Sequence, residues 1–286
     1  MRKAMKILAL ILALCLTAGL FGACTKTDGQ NPGENDVNNV DKDAAYGTTL
    51  DDIKANGKLV IGLDDTFAPM GFRDEAGNLV GFDIDLAKAV CEKLGVEAVF
   101  QPISWDAKEM ELSTGRIDCI WNGMSVTPER EEQMALSSAY LKNHIIIMTN
   151  PDVAVASLDD LKNVKIGTQA KSAALEAMEA SDLYDEIKDN ISEYATYDEV
   201  ILDMKAGRID VMVIDEVLGA YKNSKMDNYF GVAEANFGED EYAIGFRKGD
   251  TELRDAVNDV LAALMSDGTA DKISDDWFGE SLLIKE

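Results

Sequence analysis

Arg130 and Ser125 follow one apolar run of the chain, Ser172 follows a second, and Asp215 ends a third. A guanidinium donates two parallel hydrogen bonds to a carboxylate. A serine at the start of a helix stands beside backbone N–H groups that attract an anion. A carboxylate with a hydroxyl nearby suits an ammonium group. Brought to one place, these groups match the two charged ends of an α-amino acid. Phe67 and Trp105 also end apolar runs, where aromatic rings are costly to expose unless something covers them, so they are candidates to clasp the apolar stem of the same ligand.

Each residue also has a plainer role. Arg130 follows Thr-Pro-Glu and can sit on a surface helix paired with Glu129 or Glu131. Asp215 can cap the helix of "EVLGAYKN", and Ser172 the helix that follows it. Phe67 and Trp105 can be core, and Asp64 and Asp65 ordinary loop residues. His144, the only histidine, is expected to be structural. The ligand reading stands on the joint placement of these residues, which depends on the elements that carry them.

Those elements repeat. The tetrapeptide GRID occurs at Gly115 and again 92 residues later at Gly207. In both copies a helical stretch ends at the glycine, which suits the left-handed position past a helix end, and a buried apolar strand follows. Around the first copy the order is strand "GKLVIGLDD", helix "LVGFDIDLAKAVCEKLG", strand "VEAVFQPI", helix "WDAKEMELSTG" and strand "IDCIWN". Around the second it is "NVKIGT", "SAALEAMEAS", "SEYATY", "YDEVILDMKAG" and "IDVMVID". Alternation of this kind predicts α/β units with parallel-type sheets and covering helices.

Two further strands, "YLKNHIIIMTNP" and "EDEYAIGFRKGD", read as crossings out of the first unit and back. The expected layout is lobe 1 over 47–143 plus 245–286 and lobe 2, inserted, over 144–244, with a two-strand hinge near 141–149 and 240–246. Ligands of parallel sheets bind beyond the carboxyl ends of the strands. Those ends carry Asp64 and Phe67, Trp105, Asn122 to Arg130 with Gly123 and Ser125 among them, Gln169 to Ser172, and Asp215 with Glu216.

At 286 residues with 47% hydrophobic content, the chain can supply two cores of ordinary size. The stretch 1–23 is an expected signal peptide: Arg2, Lys3 and Lys6 precede an apolar run from Ile7 to about Leu20, which is shorter than a comfortable membrane span. Residues 24–46, rich in Asn, Asp, Gly, Lys and Thr, read as a flexible tether. Loss of the three basic leader residues takes the formal net charge from −26 to −29, which argues against nucleic acid as a partner. Cys91 and Cys119 are expected to be small core residues, with a disulfide permitted by export but not specified. One histidine and so few thiols leave no expected metal site, and no cofactor is implied.

The motifs "IGLDDTFAPMGF", "GNLVGFDIDLAKAVCEKLG", "GRIDCIWNGMSVTPER", "IGTQAKSAAL" and "GRIDVMVIDE" resemble the extracellular solute-binding proteins of polar amino-acid ABC importers, over about residues 48–280. "FGAC" resembles a lipobox, with Phe21 where Leu is usual, and implies lipidation of Cys24 and a membrane-anchored body on the extracytoplasmic face. The resemblance implies a two-lobe periplasmic-binding-protein-like fold that captures a polar L-amino acid as a monomer and passes it to permease subunits. By that resemblance Arg130 with Ser172 binds the α-carboxylate, Asp215, Ser125 and the Gly123 backbone hold the α-ammonium, Phe67 and Trp105 flank the side chain, and Asp64 reads its distal group. Lys171 departs from the pattern, since many relatives carry glycine there; an inward amine would add positive charge to the pocket, and the expectation is that it points outward. Cystine, a basic amino acid and glutamine all remain open as ligands, the choice resting on rotamers of Asp64, Asp65, Gln169, Lys171 and Glu216. The alternatives are an enzyme of dehydratase type on the same fold, which would need an acid–base group in the pocket, and a ligand-sensing module.

Overall fold

The computed structural model describes residues 49–284; the leader, Cys24 and the tether lie outside them. Helix α1 (Leu50–Asn56) is closed at its start by reciprocal bonds between Thr49 and Asp52, and at its end by Gly57 with φ 69°. Strand β1 (Lys58–Leu63) leads into a small sheet of β2 (Thr66–Phe67), β3 (Gly71–Arg73) and β4 (Leu79–Val80). Then come α2 (Phe82–Leu94), β5 (Glu97–Pro102), a short 3-10 turn at Trp105–Ala107, α3 (Lys108–Ser113), β6 (Cys119–Ser125), α4 (Pro128–Gln133), β7 (Met134–Leu136) and β8 (Leu141–Thr149). The second series is β9 (Ile166–Gln169), α5 (Ala173–Glu179), α6 (Tyr184–Ile187), β10 (Ile191–Tyr194), α7 (Tyr197–Lys205), β11 (Val211–Asp215) and α8 (Glu216–Ser224). Strand β12 (Gly231–Arg247) and helices α9 (Thr251–Ser266) and α10 (Thr269–Phe278) complete it.

Nine strands form one sheet in the order β10-β9-β11-β8-β12-β6-β1-β5, with β7 also on β12. The outer triplets, β5-β1-β6 and β10-β9-β11, are parallel as expected. The middle is antiparallel, because β8 runs out and β12 returns beside it. β12 begins at Gly231, earlier than the stretch from Glu239 that the sequence marked. Its first half, "GVAEANFG", is half-exposed and has no apolar run; Ala233, Ala235 and Phe237 alternate toward a core cluster, and β8 supplies the ladder through Gly231–Thr149 and Val232–Met148. Both faces of the central strands are buried: Ile145 and Ile147 of β8 enter one core cluster, while the alternating Ile146 and Met148 enter another.

The two GRID turns are the same device used twice. Gly115 and Gly207 have φ 73° and 70°. Asp118 Oδ2 accepts from the Val60 N–H at 2.8 Å, and Asp210 Oδ2 accepts from the Lys165 N–H at 2.8 Å. The isoleucine of each copy packs over a glycine of the neighbouring strand: a Cβ on Gly62 would meet Ile117 at 2.4 Å, and one on Gly167 would meet Ile209 at 3.1 Å. Each turn therefore locks the register of the strand that ends at the site. Replacing Asp210 with alanine is expected to cost about 0.5–1.5 kcal/mol, since the freed Lys165 N–H is exposed to water, and Asp118→Ala more, since Asp118 also lies 3.6 Å from the Arg247 guanidinium. Urea unfolding of the two variants measures the difference; equal midpoints would contradict it.

Cys91 and Cys119 are buried free thiols. His144 is at the surface, with Nδ1 2.8 Å from Glu216.

Candidate functional site

A small cavity is lined by Phe67, Trp105, Gly123, Ser125, Arg130, Gln169, Ser172, Ala173 and Asp215. Eight of the nine are residues singled out from the sequence. They arrive from the ends of β2, β6, β9 and β11, from the turn after β5 and from the starts of α4 and α5, so both strand series contribute to one wall.

Arg130 is not the surface residue its flanking glutamates would make it. It is 2% exposed, while its backbone N–H is held by the Thr127 cap of α4. Its Nη1 donates to the Ser125 carbonyl at 2.9 Å, and its Nη2 donates to Glu176 Oε1 at 2.9 Å and to the Lys171 carbonyl at 3.4 Å. Its Nε is buried and has no partner among the described residues. A buried donor left open in this way carries the full cost of its desolvation, and it is a donor that a carboxylate can take.

The same lining carries an acidic group. Asp215, 4% exposed, occupies the N-cap position of α8 but does not cap it. Its Oδ1 instead accepts from Asn143 Nδ2 and from the Tyr242 hydroxyl, both at 3.0 Å. Asp240 Oδ2 accepts from the same Asn143 nitrogen and from Ser125 Oγ, both at 2.7 Å. Burial, and then the like charge of Asp240, push the Asp215 carboxyl up to about 7; burial raises Asp240 as well. Two buried carboxylates around one amide and two hydroxyls make a strong site for a positive group.

Ser172 caps α5, its Oγ accepting from the Leu175 N–H at 3.1 Å. Trp105 is 8% exposed and pinned by the Lys108 ammonium, which sits 4.9 Å from its ring and donates to the Lys171 carbonyl at 3.1 Å. Lys108 is itself buried beside Arg130, and burial followed by that repulsion lowers its pKa. Lys171 points to solvent with φ 56°, a conformation that explains why glycine suits this position.

Asp64 differs from expectation. It does not line the cavity: Oδ1 accepts from the Thr66 N–H and hydroxyl at 2.9 and 2.7 Å, and Oδ2 accepts from Gln169 Nε2 at 2.8 Å. Its carboxylate is engaged by three donors, two from Thr66 and one from Gln169. Sequence reasoning also missed Asn143, Glu176, Asp240 and Tyr242. Asp240 and Tyr242 lie in the second crossing strand, whose polar residues inside an otherwise apolar stretch were the available signal; nothing local marks Glu176.

An α/β two-lobe fold with a small charged cavity walled by both strand series defines a class of proteins that enclose a small polar molecule. The chain belongs to the bacterial extracellular solute-binding proteins, family 3, whose model matches residues 59–280. It is 32% identical over 241 residues to the histidine-binding periplasmic protein of Salmonella typhimurium, covering 77% of this chain and 87% of that one. With the L-cystine-binding protein of Escherichia coli it shares 29% over 238 residues, covering 80% and 86%. Among solved structures, an ABC uptake transporter substrate binding protein from Streptococcus pneumoniae with bound histidine superposes with a TM-score of 0.79 at 38% identity, covering 82% of this chain and 98% of that one.

Proposed function

We propose that this chain is the receptor of an amino-acid ABC importer, capturing a polar L-amino acid between two closing lobes and delivering it to permease subunits. The observation that carries this reading is the open, buried Nε of Arg130 on the same cavity wall as Asp215. The same lining offers a buried N–H donor to a carboxylate and a carboxylate to an ammonium. The lobes correspond to 47–143 plus 245–286 and to 144–244, and closure pivots on the paired strands β8 and β12 near 141–149 and 240–246. Binding is the whole activity: no chemical step is assigned to the site. After export the body is held by a lipid on Cys24 at the extracytoplasmic face of the membrane and works as a monomer.

A thermal-shift screen of the exported chain against the L-amino acids, cystine, ornithine and citrulline tests this. Ligand at about 100 times its dissociation constant adds about 2.7 kcal/mol, and each kcal/mol moves the midpoint by roughly 2–4 °C for a body of this size. A selective rise with one chemical class supports the receptor; no rise with any amino acid would sink it.

A further inference from the structure

Asp83 lies at the start of α2, outside the cavity lining, and is 1% exposed. A buried carboxylate is costly unless its oxygens are satisfied, and burial pushes this one up to about 7. Its neighbour Asp85, in the same first turn, favours the helix end equally well from a half-exposed position, so the dipole does not explain the burial. The two oxygens of Asp83 serve different donors. Oδ1 accepts from the Tyr140 hydroxyl at 2.8 Å, and Oδ2 accepts from the Gly123 N–H at 2.7 Å. Tyr140 is stacked on Phe82 with ring centres 6.4 Å apart, which fixes the hydroxyl.

Gly123 is part of the cavity wall and has φ 57°. A Cβ there would come within 2.9 Å of the Phe67 ring and 3.0 Å of the Tyr242 ring, so only glycine fits, and glycine by itself has the widest choice of backbone conformations. A peptide that must hold one orientation, at a residue that confers none, needs an outside anchor.

We propose that Asp83 is a positioning residue for the cavity: by holding the Gly123 N–H it orients the peptide that lies against Phe67 and beside the Tyr242–Asp215 pair. The proposal rests on the receptor reading above for its effect on affinity, but the contact itself can be tested without a ligand.

In the full chain, Asp83→Ala is expected to weaken binding of whichever amino acids of the screening panel the wild type takes by about tenfold or more, measured by calorimetry per folded molecule. Asp83→Asn should recover most of that loss, because its amide oxygen accepts from Gly123 while its NH₂ donates to the Tyr140 hydroxyl. A purely structural role would lower the melting temperature of Asp83→Ala and leave its affinity at the wild-type value, which overturns the proposal. Selective ¹⁵N-glycine spectra serve even where Asp83→Ala does not fold. At one pH the Gly123 amide of the wild type should stand clearly downfield of its position in Asp83→Asn, because a carboxylate at 2.7 Å is a stronger acceptor than an amide oxygen; an unchanged shift removes the contact and the proposal with it. If the wild type binds none of the panel while the amide shows this difference, it is the receptor reading that fails.

Discussion

Arg130→Ala is expected to abolish ligand binding while leaving the protein folded. Truncating one partner of a buried, hydrogen-bonded charge pair costs about 2–5 kcal/mol, or roughly 30-fold to several thousand-fold in affinity. The loss is large because the cavity holds no substitute: Lys108, the other cation nearby, is committed to Glu109 at 2.8 Å and to the Lys171 carbonyl. The fold tolerates the change because the start of α4 is held by the Thr127 cap, not by the guanidinium. Glu176 loses its ion pair but keeps partial access to water, with its side chain 21% exposed. Arg130→Lys should fall in between, since it keeps the charge and loses the fork. Calorimetry with circular dichroism as the folding control decides this; wild-type affinity in the alanine variant would refute two-ended recognition.

The second large effect is at Asp215, and it has opposite signs for binding and for stability. An ammonium ligand favours the ionised carboxylate, so binding expels the proton that burial and Asp240 hold there. Affinity should therefore weaken as pH falls below about 7, approaching about tenfold per unit for one displaced proton. Without ligand the folded state binds this proton more tightly than the unfolded chain does. The stability gained from it is full below the unfolded carboxylate value and is lost as pH rises toward about 7. Asp215→Asn should abolish binding, flatten this part of the stability profile and raise the melting temperature of the ligand-free protein at pH 8. Asp83, also raised to about 7 by burial, adds a slope of the same sign that the variant leaves in place. Melting curves from pH 4 to 8 with and without the substitution separate the two; parallel profiles would show that Asp215 is not a buried titrating group.

Much of this was legible in the chain because it is local. Gly115 and Gly207 end helices for a reason that involves only their own backbone, and the strands after them announce burial by apolar runs such as "VMVID". Residues at strand ends could be collected into a candidate site by the rule that parallel sheets bind beyond their carboxyl ends. Eight of the cavity residues were found in that way, from both series of strands.

What escaped was set by contacts between distant segments. Asp64 looked available to a ligand, and it is Gln169, 105 residues away, that engages its carboxylate. Arg130 has glutamates on either side in sequence, yet its partner is Glu176, brought to it only when α4 and α5 face each other. The first half of β12 alternates only small or isolated apolar residues, Ala233, Ala235 and Phe237, too weak a signal to mark a strand until β8 supplies the ladder. By itself, then, the sequence determined the elements, their repeated order and the chemical types at the strand ends, because helix caps, apolar runs and left-handed glycines are properties of short stretches. Only the tertiary structure decided which charges pair, which carboxylates crowd together and which donor of Arg130 is left open, because hydrogen bonds and burial depend on what the rest of the chain places within about 3 Å.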